Sequence, residues 1–409
     1  MKLEKSKIIP DQSINIGGSK SISNRLLVLN RLFGNIFLMN LSNSEDTHLF
    51  EKALDSEDHV IDIHHAGTAM RFLTSYFAIQ ENREVVLTGS ERMKQRPISA
   101  LVDALRTLGA DIEYEEKDGF PPLKIRGKKL CKSKVSIQSN ISSQFITSLL
   151  LIGGKLENGL ELHLLEDITS LPYLEMTLKI LNELQIHTQT DGKVIKVYPF
   201  KESAISTKLR SYEVESDWSS ASYFYSLSAI SRENINLKSF YSHSLQGDSI
   251  VKQLYWDFFG VNTISDHGGH KISLLPDANF EFPEKIELDM NSCPDIVQTL
   301  CVTAVAFKIP FHITGLSTLK VKETDRLEAL HFELKKIGCL TEITDESIQS
   351  LEFTEPESEI FIKTYNDHRM AMSFAPFCLL HSLEIEKDNV VEKSYINFWE
   401  DFFSIVKPI

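Results

Sequence analysis

Six segments of this chain open an apolar stretch of helical length with a small polar or basic cluster. The last five openings, measured from Gly67, Ser142, Trp218, Pro294 and Asn366, are 75, 76, 76 and 72 residues apart, and one more opening lies 48 residues before Gly67. Nearly constant spacing is typical of a repeated supersecondary unit. The six openings are Ser19-Lys20-Ser21, Ala66-Gly67-Thr68, Ile141-Ser142-Ser143, Asp217-Trp218-Ser219, Pro294-Asp295 and Asn366-Asp367-His368-Arg369.

Helix starts of this kind point to a negatively charged substrate. A helix start exposes N–H groups without intrahelical partners and the positive end of the helix dipole, and anions bind there readily. Arg71, Arg326 and Arg369 fall within about the first turn of such helices, where a cation opposes the dipole. A bound anion among several helix starts explains why this mismatch is repeated.

Between the openings, strand-like runs alternate with amphipathic helices, which predicts an α/β fold. A chain of 409 residues exceeds one ordinary core, so we expect two domains, and three repeats per half put the boundary near 209–215. Glycines end two of the predicted helices. The predicted strands are Glu84 to Thr88, Leu160 to Leu164, Lys193 to Tyr198, Lys271 to Leu275 and Phe311 to Thr314, and the predicted helices are Ile98 to Leu108 and Asp325 to Ile337.

Composition excludes several functional classes. The net charge of −14 argues against a nucleic-acid-binding or acidic-membrane-binding protein, so any anion must be bound locally. Five cysteines without a Cys-x-x-Cys pair indicate reduced thiols in a cytoplasmic protein. The N-terminus lacks the apolar segment of a secretory signal, and no apolar run reaches the length of a membrane span.

The helix starts contain more polar residues than helix capping requires. Lys20, in Gly17-Gly18-Ser19-Lys20-Ser21, lacks the full spacing of a nucleotide-binding phosphate loop. Helix capping explains one serine in Ser142-Ser143-Gln144 and one in Asp217-Trp218-Ser219-Ser220, and leaves the others available. Arg96, in the three-cation loop Arg92 to Pro97, is either solvated or a clamp for carboxylate or phosphate.

Two carboxylates are acid and base candidates. Asp295 is either a helix cap or a general base, and Glu323, flanked by Lys322 and Arg326, is either a salt-bridge partner or a general acid. The histidines show no His-Glu-x-x-His or comparable spacing, so we expect no metal.

Taken in order, the clusters resemble the enolpyruvyl transferase family, and within it the 5-enolpyruvylshikimate-3-phosphate synthases. The resemblance spans the chain. It is carried by Gly18-Ser19-Lys20-Ser21 with Asn24-Arg25, Ala66-Gly67-Thr68-Ala69-Met70-Arg71, Leu87-Thr88-Gly89 with Arg92-Met93 and Arg96-Pro97, Ser142-Ser143-Gln144-Phe145, Pro172-Tyr173, Ser219-Ser220-Ala221-Ser222-Tyr223, Pro294-Asp295, Val321-Lys322-Glu323-Thr324-Asp325-Arg326, Asn366-Asp367-His368-Arg369-Met370 and Lys393-Ser394-Tyr395.

The resemblance implies a two-domain, inside-out α/β barrel, with each domain built from three βαβαββ repeats. Residues 18–213 would form the N-terminal domain, which mainly binds shikimate 3-phosphate. Residues 1–17 and 214–409 would form the C-terminal domain, which completes the phosphoenolpyruvate site, and the active site would lie in the interdomain cleft.

The implied reaction transfers the enolpyruvyl group of phosphoenolpyruvate to the 5-hydroxyl of shikimate 3-phosphate and releases phosphate. It needs no cofactor and no metal, and we expect a cytoplasmic monomer that uses only these small-molecule partners. The two substrates carry about −6 of charge at neutral pH. Seven matched cations would meet that charge: Lys20, Arg25, Arg96, Lys322, Arg326, Arg369 and Lys393.

The resemblance also implies roles for individual residues. Asp295 would take the proton from the attacking hydroxyl, and Glu323 or Lys20 would protonate the methylene carbon. The shikimate 3-phosphate contacts would be Lys20, Ser21, Arg25, Ser142, Ser143, Gln144, Ser170, Asp295 and Lys322. The phosphoenolpyruvate contacts would be Lys20, Gly67, Arg96, Gln144, Arg326, Arg369 and Lys393.

Two other functions predict different residues. A UDP-N-acetylglucosamine enolpyruvyl transferase would carry a reactive cysteine in its first half, and no cysteine lies between Gly89 and Pro122. A non-catalytic anion-binding homologue would be favoured by loss of Asp295, Glu323 or Lys20, and all three are present. Because Gly67 has no side chain to exclude it, we expect inhibition by glyphosate, the family's known inhibitor.

Overall fold

The computed structural model describes residues 1–34, 36–138, 142–166, 168–201, 210–266 and 268–409. These residues form two compact units. Unit 1 consists of Met1–Ser19, Asn43–Glu45 and Glu215–Ile409, and unit 2 consists of Lys20–Ser42 and Asp46–Val214. The chain therefore passes between units at Val214, inside the predicted boundary segment, whose first residue, Leu209, lies outside the described residues.

Twelve α-helices lie in the described residues. They are α1 (Lys20–Phe33), α2 (Glu45–Asp55), α3 (Gly67–Ala78), α4 (Ser99–Leu108), α5 (Ser143–Gly153), α6 (Leu171–Glu183), α7 (Trp218–Ser231), α8 (Val251–Phe259), α9 (Val297–Ala306), α10 (Arg326–Lys336), α11 (His368–Phe374) and α12 (Phe398–Ile405).

The six openings correspond to the starts of α1, α3, α5, α7, α9 and α11. At the fifth, a 3-10 turn, Pro294–Ile296, leads into α9. At the third, Ile141 and the preceding Ser139 and Asn140 lie outside the described residues. The prediction of repeated helix starts is confirmed.

The strands are short. They are β1 (Lys2–Leu3), β2 (Ser6–Ile8), β3 (Gln12–Ile14), β4 (Ile36–Met39), β5 (Val60–Asp62), β6 (Glu84–Thr88), β7 (Asp111–Tyr114), β8 (Leu123–Arg126), β9 (Lys134–Ile137), β10 (Leu160–Leu164), β11 (Thr188–Asp191), β12 (Val194–Val197), β13 (Arg210–Glu213), β14 (Ile235–Lys238), β15 (Val261–Ser265), β16 (Lys271–Pro276), β17 (Ile286–Asp289), β18 (Phe311–Thr314), β19 (Cys339–Ile343), β20 (Ile348–Phe353), β21 (Ile360–Ile362), β22 (Leu383–Ile385) and β23 (Val406–Pro408).

All five predicted strands and both predicted helices are present, with ends that differ by no more than one residue. The glycine after α4, Gly109, has φ +110 and ends the helix in the left-handed region that favours glycine. Within the described ranges, no helix is long and apolar enough to cross a membrane.

Four sheets share one topology, which confirms the repeated unit. In each sheet two parallel strands are followed by an antiparallel pair, and the strand orders are β5-β6-β8-β7, β9-β10-β12-β11, β3-β14-β16-β15 and β17-β18-β20-β19. In the three sheets whose strands are consecutive in sequence, a helix follows each of the first two strands. These three sheets therefore belong to βαβαββ repeats.

The predicted α/β class is confirmed, whereas the full set of three complete repeats per half is not seen in the described residues. The remaining segments form smaller sheets, namely β4 with β13, β1 with β22 and β21, and β2 with β23. Every sheet of the described chain is open, so no strand barrel closes. The N-terminal strands β1, β2 and β3 all pair with strands of unit 1.

Helices form the centre of each unit. In unit 2, α1, α3 and α5 contact one another, and in unit 1, α9 contacts both α7 and α11. Every residue of α5 from Phe145 to Gly153 is buried. A helix that is apolar on all sides is stable only when it is surrounded by protein. The polar starts of these central helices therefore carry the candidate site.

Candidate functional site

Three helix starts of unit 1 meet at Asp295. Its Oδ1 accepts a hydrogen bond from Arg326 Nη1 at 3.0 Å, and its Oδ2 accepts one from Arg369 Nη2 at 3.2 Å. The ammonium of Lys322 lies 3.4 Å from Oδ1. Burial opposes ionisation of Asp295, but the cations Arg369, Lys322 and Arg326 outweigh it and hold the pKa of this carboxyl well below its usual range. Asp295 is an ionised acceptor at neutral pH.

Arg326, at the start of α10, contacts three carboxylates at once. Besides the bond to Asp295, its Nη2 donates to Glu323 Oε2 at 2.9 Å and its Nε donates to Asp367 Oδ2 at 2.6 Å. The side chain is only 2% exposed. Burial alone would lower the pKa of Arg326, but Asp367, Glu323 and Asp295 raise it above its usual range.

Glu323 lies between two cations. Its Oε1 accepts from Lys393 Nζ at 2.8 Å, while Oε2 accepts from Arg326. Lys393 is 8% exposed and Glu323 is 15% exposed. Both carboxylate oxygens are therefore acceptors, and the salt-bridge alternative for Glu323 describes the observed contacts.

Ser219 belongs to the same cluster. Its hydroxyl oxygen accepts from Arg369 Nη2 at 3.3 Å, and its hydroxyl donates to Asp248, a buried residue before α8. Neither serine caps α7, because the carboxylate of Asp217 does so by accepting from Ser220 N at 2.8 Å. The expectation of a serine cap at this start is wrong, since an aspartate precedes it.

Two other aspartates cap the neighbouring helices α10 and α11. Asp325 caps α10 and Asp367 caps α11, by accepting from the backbone N–H of Glu328 and Arg369. The turn before α9 has no side-chain cap. Both oxygens of Asp295 instead contact cations, which disfavours the capping alternative for this residue.

In unit 2, the start of α1 is tied to α2. Lys20 Nζ donates to Asp46 Oδ2 at 2.9 Å, and Thr47 Oγ1 donates to Asn24 Oδ1 at 3.1 Å. Asp46 is nearly buried, with 6% of its side chain exposed. The Lys20 side chain keeps 21% exposure, so it remains accessible to a ligand.

Arg25 is a buried cation among neutral groups. Its Nε donates to Thr177 Oγ1 at 2.8 Å, Nη1 donates to the Ser21 carbonyl at 2.7 Å, and Nη2 lies 3.4 Å from Thr147 Oγ1. Its Nη2 also donates to the Tyr173 carbonyl at 3.3 Å. Burial lowers the pKa of Arg25 to about 10. A substrate anion would offset this desolvation.

Gly67 and Arg96 lie in close contact. A Cβ added at Gly67, the first residue of α3, would lie 2.6 Å from Arg96 Nη1. Arg96 is 8% exposed, whereas its neighbour Lys94 forms an exposed ion pair with Glu116 at 2.9 Å. The three-cation loop thus divides into a buried arginine beside a helix start and a solvated lysine. A short 3-10 helix, Met93–Gln95, makes this turn.

The start of α5 contacts the start of α3. Ser142 caps α5, with its Oγ accepting from Gln144 N at 3.3 Å, as one alternative predicted. Gln144 Nε2 donates to Thr68 Oγ1 at 3.4 Å. Ser143 is the first residue of α5, and Ser170 precedes α6 with φ +56, in the left-handed region.

The structure therefore gathers the predicted residues into local groups. In unit 1 one connected group holds Asp295, Lys322, Glu323, Arg326, Arg369 and Lys393. In unit 2 Arg25 contacts the Ser21 carbonyl, Gly67 lies beside Arg96, Gln144 contacts Ser142, and Lys20 pairs with Asp46.

Sequence reasoning missed three carboxylates and one hydroxyl that hold these groups: Asp46, Asp248, Asp367 and Ser219 as an acceptor for Arg369. Asp367 was visible within the Asn366-Asp367-His368-Arg369 opening as a residue at a helix start. Asp46 and Asp248 carry no comparable local signal. In the part of the chain that the structure describes, no group of three or more His, Cys, Asp or Glu side chains is arranged to hold a metal ion.

The chemistry available follows from these contacts. Unit 1 offers an ionised carboxylate, Asp295, within reach of Lys322 and Arg369, so a hydroxyl placed there has a proton acceptor beside cations that stabilise anions. Unit 2 offers Lys20, Arg25 and Arg96 beside helix N–H groups. Both groups favour a substrate with several negative charges.

Comparisons with known proteins agree with this chemistry. The family model for EPSP synthase (3-phosphoshikimate 1-carboxyvinyltransferase) matches residues 39–402. The 3-phosphoshikimate 1-carboxyvinyltransferase of Bacteroides fragilis strain YCH46 is 42% identical over 395 residues, which cover 95% of this chain and 94% of the relative. That of Haemophilus influenzae strain Rd is 34% identical, with 98% and 99% of the two chains covered.

Solved structures share the fold. EPSP synthase from Acinetobacter baumannii aligns with a TM-score of 0.72 at 21% identity, over 99% of this chain and 98% of the other. The enolpyruvyl transferase NikO from Streptomyces tendae also aligns with a TM-score of 0.72, at 12% identity over 99% and 98% of the two chains. From the family match and the identities of the relatives together, the chain belongs to the EPSP synthase family.

Proposed function

We propose that this chain binds phosphoenolpyruvate and shikimate 3-phosphate and transfers the enolpyruvyl group to the 5-hydroxyl of the second substrate. The reaction gives 5-enolpyruvylshikimate 3-phosphate and phosphate, in the shikimate pathway to chorismate and the aromatic amino acids. The observation that best supports the residue roles is the Asp295 carboxylate, which three cations hold ionised at one helix start.

In this proposal Asp295 is the general base. The 5-hydroxyl oxygen bonds to C2 of phosphoenolpyruvate as its proton moves to Asp295, and the methylene carbon gains a proton to become a methyl group. The resulting tetrahedral adduct then breaks its C2–O bond to phosphate, and the methyl group loses a proton to restore the double bond. The lowered pKa of Asp295 keeps its carboxylate ionised at neutral pH, so both oxygens are unprotonated when the hydroxyl arrives.

The proton for the methylene carbon comes from Glu323 or Lys20, and a deuterium experiment separates the two. Addition in D₂O places deuterium in the methyl group of the adduct, and reversal of the addition, in which the shikimate oxygen leaves C2, retains part of it in the methylene of recovered phosphoenolpyruvate. Of the two variants Glu323→Gln and Lys20→Met, the one that removes the proton donor should abolish this incorporation when both substrates are saturating. The other variant should raise KM and still show deuterium by mass spectrometry.

The binding roles divide between the units. The unit 2 residues Lys20, Ser21, Arg25, Ser142, Ser143, Gln144 and Ser170, together with Asp295 and Lys322, bind shikimate 3-phosphate. Lys20, Gly67, Arg96 and Gln144, together with Arg326, Arg369 and Lys393, bind phosphoenolpyruvate. Arg25 supports this division because it is buried beside neutral hydrogen-bond partners and gains most from a substrate anion.

Phosphate release is the direct test. The protein is mixed with phosphoenolpyruvate and shikimate 3-phosphate, and in parallel with phosphoenolpyruvate and UDP-N-acetylglucosamine. Release with the first pair alone supports the proposal, release with the second pair alone supports the rival transferase, and release with neither supports a non-catalytic anion-binding protein. Lys20→Ala and Asp295→Ala should each abolish most turnover while thermal unfolding remains cooperative. Arg31→Met, an exposed change in α1, is the matched control.

We extend the proposal to the state of the protein as a cytoplasmic monomer. The five cysteines, which the structure leaves as free thiols, suit a reducing compartment. Light scattering coupled to size-exclusion chromatography should give one species near 46.5 kDa. A species of twice that mass would overturn the monomer.

A further inference from the structure

Two consecutive residues before Arg369 have an unusual backbone. Tyr365 has φ +53 and Asn366 has φ +56, and neither is glycine. The left-handed region is sterically unfavourable for residues with a Cβ. Such conformations persist only where surrounding contacts determine them, and they concentrate at functional sites. Some contact must therefore hold the segment that leads into α11.

One such contact comes from Glu333, a side chain of α10 with no exposed surface. Its Oε1 accepts from the Tyr365 hydroxyl at 2.8 Å. Its Oε2 accepts from the Lys363 backbone N–H at 3.0 Å and from Lys336 Nζ at 2.7 Å. One buried carboxylate thus binds the segment through both a side chain and the backbone. A buried carboxylate that lost one of these donors would be left partly unsatisfied.

The same helix holds the segment at a second point. Arg326 lies seven residues before Glu333 on α10, so the two side chains share one face of the helix. Arg326 Nε donates to Asp367 Oδ2 at 2.6 Å, and Asp367 Oδ1 accepts the Arg369 backbone N–H at 2.9 Å. The segment 363–367 is therefore fixed to α10 at both of its ends, and Arg369 lies two residues after it.

We propose that Glu333 and Tyr365 are positioning residues for Arg369: by holding the left-handed Tyr365 and Asn366, they aim the Arg369 guanidinium at Asp295 and Ser219. The inference rests on the proposed function, because it assigns their effect to the phosphoenolpyruvate contact of Arg369. In this proposal both residues act through Arg369 and not on the substrate itself. Without the Tyr365 hydroxyl, the segment relaxes toward ordinary backbone angles and Arg369 moves from its contacts at 3.2 and 3.3 Å.

The alternative is that Glu333 only stabilises unit 1. Kinetic constants distinguish this structural role from the proposed positioning of Arg369. Tyr365→Phe removes one hydroxyl and keeps the ring, and Glu333→Gln keeps the shape of the side chain. In the full chain, each should raise KM for phosphoenolpyruvate about tenfold, since small misplacements of a clamp cost one to two orders of magnitude. KM for shikimate 3-phosphate should change less than about twofold. Tyr225→Phe, which removes the hydroxyl bonded to Thr263 in the same unit, is the matched control and should leave both constants unchanged.

A rescue experiment tests the backbone directly. Asn366 is exposed, and glycine adopts a positive φ without steric cost. Adding Asn366→Gly to Tyr365→Phe should recover part of the lost affinity for phosphoenolpyruvate, which a loss of general stability would not allow. The double variant Glu333→Gln with Tyr365→Phe should be no weaker than the worse single variant, because both break one contact.

Several results would overturn the inference. One is a lower melting temperature with unchanged kinetic constants in Tyr365→Phe, and another is an equal rise in both KM values. If Glu333→Gln fails to fold, Tyr365→Phe decides the matter alone. Wild-type protein is assayed in parallel, so that absence of its activity refutes the proposed function, while normal wild-type activity with an unaffected Tyr365→Phe refutes only the positioning role.

Discussion

The Nε of Arg326 donates a hydrogen bond of 2.6 Å to Oδ2 of Asp367, and both side chains are almost fully buried. This pair joins the start of α10 to the start of α11. Since Asp295 and Glu323 accept from the other two nitrogens of the same guanidinium, one planar cation satisfies three carboxylates. A lysine carries the same charge but lacks this planar fork of N–H donors.

We therefore expect Arg326→Lys to lower both stability and activity. Losing the fork leaves at least one buried carboxylate without its cation, which costs about 3 kcal/mol of the free energy of unfolding. Urea unfolding followed by circular dichroism measures this change. Lys320→Met breaks the exposed pair with Asp345 and should leave the curve unchanged. Coincident curves for Arg326→Lys and wild type would contradict the role of the fork.

Gly67→Ala should weaken phosphoenolpyruvate binding. The new methyl group would lie 2.6 Å from Arg96 Nη1, so the guanidinium must move. We expect KM for phosphoenolpyruvate to rise about tenfold, with a parallel loss of inhibition by glyphosate. Gly268→Ala, where the nearest heavy atom lies at 3.8 Å, should change neither value. A Gly67→Ala enzyme with unaltered KM would show that Arg96 does not clamp this substrate.

The parts of the fold that local chemistry determines are predictable from the sequence. Ser142 caps α5 through a contact only two residues away, and Gly109 ends α4 through its own positive φ. Both signals are contained within one helical turn. The incorrect prediction of a serine cap for α7 also concerns contacts within one helical turn. The Asp217 carboxylate, placed before the two serines, accepts the capping N–H instead.

The parts of the site that depend on long-range contacts were not predictable. Asp46 is 26 residues from Lys20, and Asp248 is 29 residues from Ser219. An isolated aspartate at such a separation looks like any surface carboxylate in the sequence. Only the packing of the helices brings it to the cation or hydroxyl that it holds. The two-stranded sheet of β4 with β13 was not predictable for the same reason, because its strands come from distant segments.

Arg25→Met should separate binding from stability. In the ligand-free protein, the buried Arg25 cation hydrogen-bonds to Thr177, Thr147 and two carbonyls, and burial lowers its pKa to about 10. Replacing a desolvated cation by an apolar side chain of similar length should not lower the melting temperature by more than about 2 °C. KM for shikimate 3-phosphate should nevertheless rise about a hundredfold, because the anion loses its buried partner.

Calorimetry and steady-state kinetics measure the two effects of Arg25→Met. Arg31→Met, on the exposed side of the same helix, should alter neither. A large loss of stability together with an unchanged KM would mean that Arg25 is a structural residue rather than a substrate contact.

Glu215 should make the stability of unit 1 depend on pH. Its carboxylate is 3% exposed and accepts from Trp218 Nε1 at 2.7 Å, Tyr241 N at 2.9 Å and Gln246 Nε2 at 3.0 Å, and the Ser244 hydroxyl also donates to it. Burial raises the pKa of Glu215, and the hydrogen bonds only partly offset this shift. The folded state therefore holds the proton to a higher pH than the unfolded state does.

The sign of the effect follows from proton linkage. Where the folded state binds more protons, the free energy of unfolding falls as pH rises. The Glu215 contribution is thus fully present below the ordinary glutamate pKa, about 4.5, and is lost as pH rises through the higher folded-state value. Urea unfolding of wild type and Glu215→Gln, from about pH 5 to about pH 8, should show wild type losing stability relative to the variant. A constant difference between the two proteins across this range would mean that Glu215 keeps one charge state throughout, and would remove it as the origin of the pH dependence.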